Sequence, residues 1–355
     1  MKKISLFAVA TFTMFTTLAQ QPVSIPGSES RTIRSAIVGQ DYVLQIRLPA
    51  SYAAGAKQYP VVYLMDSQWD FPLLTSLYGE QYYDGFIPEL IIVGVTWGGA
   101  NPNPDSLRAR DYTPTREDRL PQSGGAATFL SFMKNELFPY VESHYRADKN
   151  DRALMGCSLG GLFTLFALFT EPGLFQRYVA ASPAFGWDRE AIYRYEEAYF
   201  KSKPAAPARL CMIMGGVERG VPGFEKLVRH LTGRQYTSLQ FSAKVLENTG
   251  HSGTKGEGYA RGLQYIYQRP SLQLADAMLD EYSGSYGTGV TIRRNGSQLV
   301  IDLGKNNSYT LYAAGDADFY ANSEFLNLHF TRSNGKVNGF SLERYGNTQF
   351  INKNP

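Results

Sequence analysis

The sequence predicts an α/β fold, a mainly parallel sheet with helices on both faces, followed by a small antiparallel β-domain. Three observations carry this expectation. Continuous apolar runs such as Pro60-Val-Val-Tyr-Leu-Met65 and Leu90-Ile-Ile-Val-Gly-Val95 read as strands buried on both faces. Helical patterns fall between those runs, the alternation that builds a parallel sheet. After Pro270 the texture becomes short alternating segments divided by Asn295-Gly296, Lys305-Asn306-Asn307, Gly315-Asp316 and Asn334-Gly335, the turn signals of an antiparallel sheet or barrel.

Taken in order, residues 1–19 read as a secretory signal. Lys2 and Lys3 precede an apolar, Thr-rich stretch that ends in the small residues Thr17-Leu18-Ala19. Export to the periplasm or medium is therefore expected, without a membrane anchor. Residues 30 to 48 alternate as two antiparallel strands, the clearer being Asp41 to Leu48 before Pro49. The buried runs follow, joined by Arg152 to Met155, Arg209 to Met214 and, more weakly, Phe241 to Leu246. Helices are expected at Ala126–His144, Gly161–Phe169, Phe224–Leu231 and Tyr259–Tyr267, with a linking helix at Leu272–Asp280. The predicted organisation is thus a signal at 1–19, a catalytic domain at 20–270 and a β-domain at 271–355.

Composition excludes other classes. The chain has 355 residues, 43% hydrophobic and 19% charged, too apolar for disorder and without a fibrous repeat. Cys157 and Cys211 lie in apolar surroundings and read as buried thiols rather than a bridge. The 35 basic residues less Lys2 and Lys3 leave 33 against 32 acidic ones, a balance of +1. Nucleic acid is not an expected partner.

One strand-turn-helix carries the chemistry. Gly156-Cys157-Ser158-Leu159-Gly160 has the G-x-S-x-G spacing of a nucleophile elbow, with a strand before it and an apolar helix after it. Ser158 must sit on a strained turn, and the flanking glycines keep side chains away from neighbouring backbone. The helix N-terminus behind it favours the negative charge that develops in acyl transfer.

The general base is found by elimination among four histidines. His144 ends a surface helix, His230 lies inside one, and His329 belongs to the C-terminal strands. His251 sits in Asn248-Thr249-Gly250-His251-Ser252-Gly253, a polar loop between a strand and the last helix, where a mobile imidazole is needed. Glu218 closes the turn Met214-Gly-Gly-Val-Glu218 after a strand and is the first candidate for the orienting acid. Glu225 and Glu247 remain alternatives. The order Ser, acid, His is that of the α/β-hydrolases. An oxyanion hole is expected from the backbone N–H of Leu159 and from Ser67 or Gln68 after the first buried strand.

With these residues in place, Arg31 to Arg269 resembles the esterase D/enterochelin-esterase branch of the α/β-hydrolases. The resemblance rests on Tyr59-Pro-Val-Val-Tyr-Leu-Met-Asp66, Ile92-Val-Gly-Val95, Arg110-Asp-Tyr-Thr-Pro114, Gly156-Cys-Ser-Leu-Gly-Gly-Leu162, Ala181-Ser-Pro183 and Gly250-His-Ser252. It implies a Ser158–His251–Glu218 triad, serine hydrolysis of carboxylic esters, and no metal or cofactor. Ser67 stands where relatives commonly have Gly, and Gly186 where they often carry an aromatic. The C-terminal segment, with Tyr282-Ser-Gly-Ser-Tyr286, is weakly similar to β-domains of other exported hydrolases.

The expected substrate is a small-molecule or carbohydrate ester: a siderophore ester first, an acetyl or feruloyl sugar ester as the alternative. Arg108, Arg110 and Tyr112, with Arg116, read as a basic, aromatic loop at the rim, suited to an anionic substrate. Trp69, Trp97 and Trp187 are candidate stacking surfaces. Each of these residues has a competing structural reading as a solvated pair or a core aromatic. The competing function is a non-catalytic binding protein on the same fold.

Overall fold

The computed structural model describes residues 23–355. The expected signal at residues 1–19 lies outside them. The first strands, β1 (Ser28–Arg34) and β2 (Asp41–Arg47), pair antiparallel. β3 (Tyr59–Leu64) and β4 (Ile91–Trp97) follow, separated by α1 (Ser67–Tyr83). Helix α2 (Pro104–Tyr112) leads to α3 (Ala126–Phe132) and α4 (Phe138–His144). Then β5 (Ala147–Cys157), α5 (Leu159–Thr170) and β6 (Arg177–Ala181) form one crossover unit. The unit is extended by the single turn α6 (Trp187–Glu190), α7 (Ile192–Ser202), β7 (Ala208–Gly215), α8 (Val221–Arg234), β8 (Leu239–Leu246) and α9 (Thr254–Ile266).

These eight strands make one sheet in the order β1-β2-β4-β3-β5-β6-β7-β8, parallel from β4 through β8. Strand period divides the core between its faces. Val61, Tyr63 and Met65 belong to one apolar cluster and Val62 and Leu64 to the other. Likewise Leu210, Met212 and Met214 face one way, Cys211 and Ile213 the other. Both faces need cover, so α1 and α9 close the second through Phe71, Leu74, Tyr259 and Leu263. On the first face α5 is buried almost all round from Leu162 to Phe169, which explains its unbroken apolar sequence. Each such Leu or Phe contributes roughly 1.5–3 kcal/mol by leaving water.

The chain continues through α10 (Asp276–Tyr282) into a second sheet. Its strands are β9 (Gly284–Tyr286), β10 (Val290–Asn295), β11 (Gln298–Asp302) and β12 (Ser308–Ala313). After them come β13 (Asp318–Tyr320), β14 (Leu326–Ser333), β15 (Lys336–Arg344) and β16 (Asn347–Asn352). Each pairs antiparallel with the next, and a bridge from Tyr286 to Lys353 brings the last segment back to β9. The result is a near-barrel around Tyr282, Tyr286, Phe330 and Phe340. It seats on the end of α1, where Tyr82 meets Phe325 at 4.5 Å between ring centroids.

Three local expectations are corrected. The loop carrying Arg108 and Arg110 is the helix α2, started by an Asn103 side-chain cap on Ser106 N–H and by Pro104. The single helix expected over Ala126–His144 is broken by a π-turn at Met133–Leu137 ahead of Pro139. Leu272 does not enter the linking helix but bridges to Ala313. α1, which carries Pro72 and lacks a strong apolar stripe, has no counterpart in the sequence reading.

Candidate active site

β5, β6, β7 and β8 are parallel neighbours, so the segments leaving their C-terminal ends emerge on one edge of the sheet. Those segments carry Ser158, Ser182, Glu218 and His251. This is the crevice edge where open α/β sheets place their ligands.

Ser158 stands between β5 and α5 with φ 61° and ψ −118°. A non-glycine residue held there stores on the order of 1–3 kcal/mol. Backbone bonds fix it: Ser158 N–H donates to the Ala181 carbonyl at 3.0 Å, and Ala184 N–H donates to the Ser158 carbonyl at 3.0 Å. The flanking glycines follow from contact distances. A Cβ on Gly156 would lie 2.5 Å from the Gly160 backbone, and one on Gly160 would lie 3.3 Å from Asp66 Oδ2.

Of the three acids considered, Glu218 is the one brought to His251, with Nδ1 2.6 Å from Oε2. Glu225 is on α8 beside Arg229, and Glu247 is exposed in the turn after β8. The other Glu218 oxygen, Oε1, accepts from Ser182 Oγ at 2.6 Å and from Gly215 N–H at 2.9 Å. Burial pushes the Glu218 carboxyl up, but the hydrogen bonds from Ser182, His251 and Gly215 outweigh it and hold the group below the usual glutamate range. The sequence alone assigns Ser182 no role, although Ala181-Ser182-Pro183 is among the segments that carry the resemblance. Its hydroxyl is what the motif supplies.

A histidine beside a carboxylate is not itself diagnostic here. His230 pairs with Glu196 at 2.5 Å, and His329 with Asp318 at 2.7 Å. His144 stacks on Tyr140 at 4.2 Å and bonds its carbonyl. Only His251 sits at the C-terminal strand ends, on the sheet edge that also carries the elbow.

Ser67 and Gln68 open α1 and Leu159 opens α5, so their N–H groups have no intrahelical acceptor and are oriented as first-turn donors. Asp66 immediately precedes α1, and its φ of 55° turns the chain from β3. Ser67 is tightly enclosed: a Cβ on Gly94 would come within 2.5 Å of Ser67 Cβ. The buried Ser67 hydroxyl and Gln68 amide meet no partner among the described residues.

The expected rim residues separate. Trp69 is exposed (49%) and keeps a platform beside the α1 start, with the Arg108 guanidinium 5.7 Å from its ring. Arg108 itself is committed to a two-point bond with Asp66, at 2.8 and 3.1 Å. Arg110 holds buried Asp111 at 2.7 Å, which also accepts from Trp97 and Tyr42. Tyr112 is fully buried, its hydroxyl accepting from Asp66 N–H at 3.2 Å. The rim role expected of Tyr112 and Trp97 is therefore replaced by a core role, because both are buried on Asp66 and Asp111, while Arg110 is half-buried and committed to Asp111. Trp187 is half-buried and donates to the Thr115 carbonyl at 3.1 Å.

A second polar unit went unread. Asp70, 2% exposed, accepts from Lys255 at 2.6 Å and Tyr259 at 2.7 Å, tying α1 to α9 just beyond His251. Among the described residues no group of three or more His, Cys, Asp or Glu has metal-binding geometry.

Compared with known proteins, residues 35–210 match the family model described as putative esterase. The ferri-bacillibactin esterase BesA of Bacillus subtilis (strain 168) is 33% identical over 212 residues, 55% of this chain and 72% of the relative. The siderophore triacetylfusarinine C esterase of Aspergillus fumigatus is 28% identical over 229 residues, 62% of this chain and 78% of the relative. Among solved structures, the BES protein from Bacillus cereus superposes with TM-score 0.65 at 27% identity, covering 71% of this chain and 98% of its own. An IroE-like serine hydrolase from Shewanella oneidensis gives 0.61 at 27% identity, covering 72% and 85%.

Proposed function

The chain belongs to the esterase family, and from that premise we propose an exported serine hydrolase that opens siderophore esters through Ser158, His251 and Glu218. The carboxylic-ester hydrolase class follows from the family. The triad, the substrate and the export are the proposal. The observation that carries it is the 2.6 Å contact from His251 Nδ1 to Glu218, on the sheet edge that also carries the Ser158 elbow.

Ser158 Oγ attacks the ester carbonyl while His251 Nε2 takes its proton. Nδ1–H donates to Glu218, which fixes the tautomer and stabilises the imidazolium. The hydrogen bonds on Oε1 keep Glu218 anionic. Charge on the carbonyl oxygen is met by the N–H of Leu159 and by that of Ser67 or Gln68, each worth roughly 3–4 kcal/mol in the transition state. His251 returns the proton to the leaving alcohol. Water, activated by the same imidazole, then frees the acid and restores Ser158. Trp69 offers an exposed ring for an aromatic acyl group.

The siderophore reading rests on the relatives' named activities. Ser158→Ala should abolish hydrolysis of p-nitrophenyl butyrate and of a catecholate trilactone with the fold intact by circular dichroism. Retained turnover sinks the triad. Turnover of feruloyl or acetylated sugar esters in preference to the trilactone sinks the substrate class alone. Export is tested separately, by N-terminal sequencing of the protein recovered outside the cytoplasm.

A further inference from the structure

A cavity of about 700 Å³ opens where the first sheet, α9 and the barrel meet, and none of Ser158, Glu218 and His251 lines it. Strand period sets its floor. Arg209 and Cys211 of β7 face the α9 side, and register places Ser242 and Lys244 of β8 beside that row. Helix period sets one wall, since Arg261, Gln264 and Tyr265 share a face of α9. The barrel supplies the other through Tyr312 and Tyr320, cross-strand partners whose rings stack at 5.6 Å.

Two guanidiniums here lack a counter-charge. Arg269 donates to Asn327 Oδ1 at 2.5 Å, to the Gly85 carbonyl at 2.6 Å and to the Ala321 carbonyl at 3.3 Å, which leaves Nε and one Nη1 hydrogen, and it lies 3.8 Å over the Tyr320 ring. Arg209 uses only Nη1, on the Gln268 carbonyl, leaving its Nε/Nη2 edge open. Neither meets a carboxylate within 4.0 Å among the described residues. Lys244 and Arg261 share the single exposed acid Glu257, at 3.2 and 3.8 Å. Removing a cation from water without an anion is costly. That cost appears at Arg269, where burial lowers the guanidinium to about 10.

We propose that this cleft binds a ring-bearing carboxylate, with the carboxylate on Arg209 and Arg269 and the ring against Tyr265, Tyr312 or Tyr320. The open edge of Arg209 matches a carboxylate with two parallel hydrogen bonds. The tyrosines give flat apolar walls with polar tips, which suit an aromatic ring or a sugar. The volume falls in the range of small-molecule sites, about 300–1,000 Å³. The site is built jointly by β7, β8, α9 and the barrel, which gives the C-terminal domain a binding role beside the sheet it covers. It stands independently of the esterase reading.

Calorimetric titration of the full chain tests this with three probes: benzoate for an aromatic source, glucuronate for a sugar source, and inorganic phosphate as a ringless anion. One saturable site is expected for benzoate or glucuronate, tighter than for phosphate, and the ring that binds identifies the source. Arg209→Gln should weaken it about tenfold or more, the worth of a charged hydrogen bond. Ser242→Trp, which fills the floor, should abolish it. Turnover of p-nitrophenyl butyrate should stay at the wild-type level in both variants, reporting an intact fold. Absence of binding by both ring anions, equal affinity for phosphate, or affinity unchanged in both variants overturns the proposal.

Discussion

Ser182 and His251 hold opposite oxygens of the same carboxylate. Ser182 Oγ donates to Glu218 Oε1 and His251 Nδ1 lies against Oε2, each at 2.6 Å. Gly215 N–H adds a second donor on Oε1. The acid is therefore gripped from β6 and β7 while it orients an imidazole delivered after β8. This three-sided hold fixes the direction of the carboxylate as well as its charge.

The pH dependence of stability follows. Glu218 titrates below the usual glutamate range, so its charge survives as pH falls past the unfolded value and is lost only through the depressed folded value. Ser182 is one of the groups that lower it. Ser182→Ala should therefore move the acid-side loss of stability upward in pH and, with the fold intact near neutrality, reduce kcat about three- to tenfold. Urea unfolding followed from about pH 3.5 upward, with kcat for p-nitrophenyl butyrate at neutral pH, checks this. An unshifted acid limb contradicts it.

Arg108 is predicted to matter for stability more than for substrate capture. It is the bidentate partner of Asp66, which is 2% exposed. Burial raises the Asp66 carboxyl, and Arg108 pulls it part of the way back. Arg108→Ala strands that carboxylate at a cost of about 3–5 kcal/mol. Adding Asp66→Asn should recover part of the loss in urea unfolding. A raised KM with an unchanged unfolding midpoint would return Arg108 to the substrate rim.

The legibility of the fold divides along physical lines. Buried strands such as β3, β4 and β7 announced themselves because both faces had to be apolar. β6, with five residues, carried too short a signal. α1 was hidden by Pro72 and by a mixed face that buries Asp70 beside Phe71 and Leu74. α2 was hidden by its charged composition, although Asn103-Pro104 was a readable start signal. At the site, the strand-end positions of Ser158, His251 and Glu218 were legible because spacing and order reflect strand ends. Ser182 and the Asp66–Arg108 pair were not, since their partners lie 36 and 42 residues away in sequence.

The elbow should tolerate no side chain at Gly156. A Cβ there meets the Gly160 carbonyl carbon and oxygen at 2.5 Å, and backbone cannot rotate away. Gly156→Ala should lower stability by about 1–3 kcal/mol and displace Ser158. A reduced urea midpoint with turnover lost more than proportionally supports this. A wild-type midpoint and kcat would contradict it.

Both cysteines should resist alkylation in the folded protein. Cys157 and Cys211 are 2% and 4% exposed, and burial pushes each thiol up to about 12. The reactive thiolate is therefore scarce at neutral pH. Iodoacetamide at about pH 8 should leave the native mass unchanged, a pH below the ordinary thiol value of about 8.5. In denaturant it should label both. Rapid native labelling of Cys157 would mean that the elbow opens readily.

The central claim is that Ser158 is a nucleophile activated by His251. Labelling the purified protein with a fluorophosphonate and mapping the adduct by peptide mass spectrometry tests it most directly. One adduct, on Ser158, is predicted, with labelling slowed about a thousandfold or more in His251→Ala, as expected for loss of the base. An adduct on a different residue, or an equal rate without His251, would contradict the account.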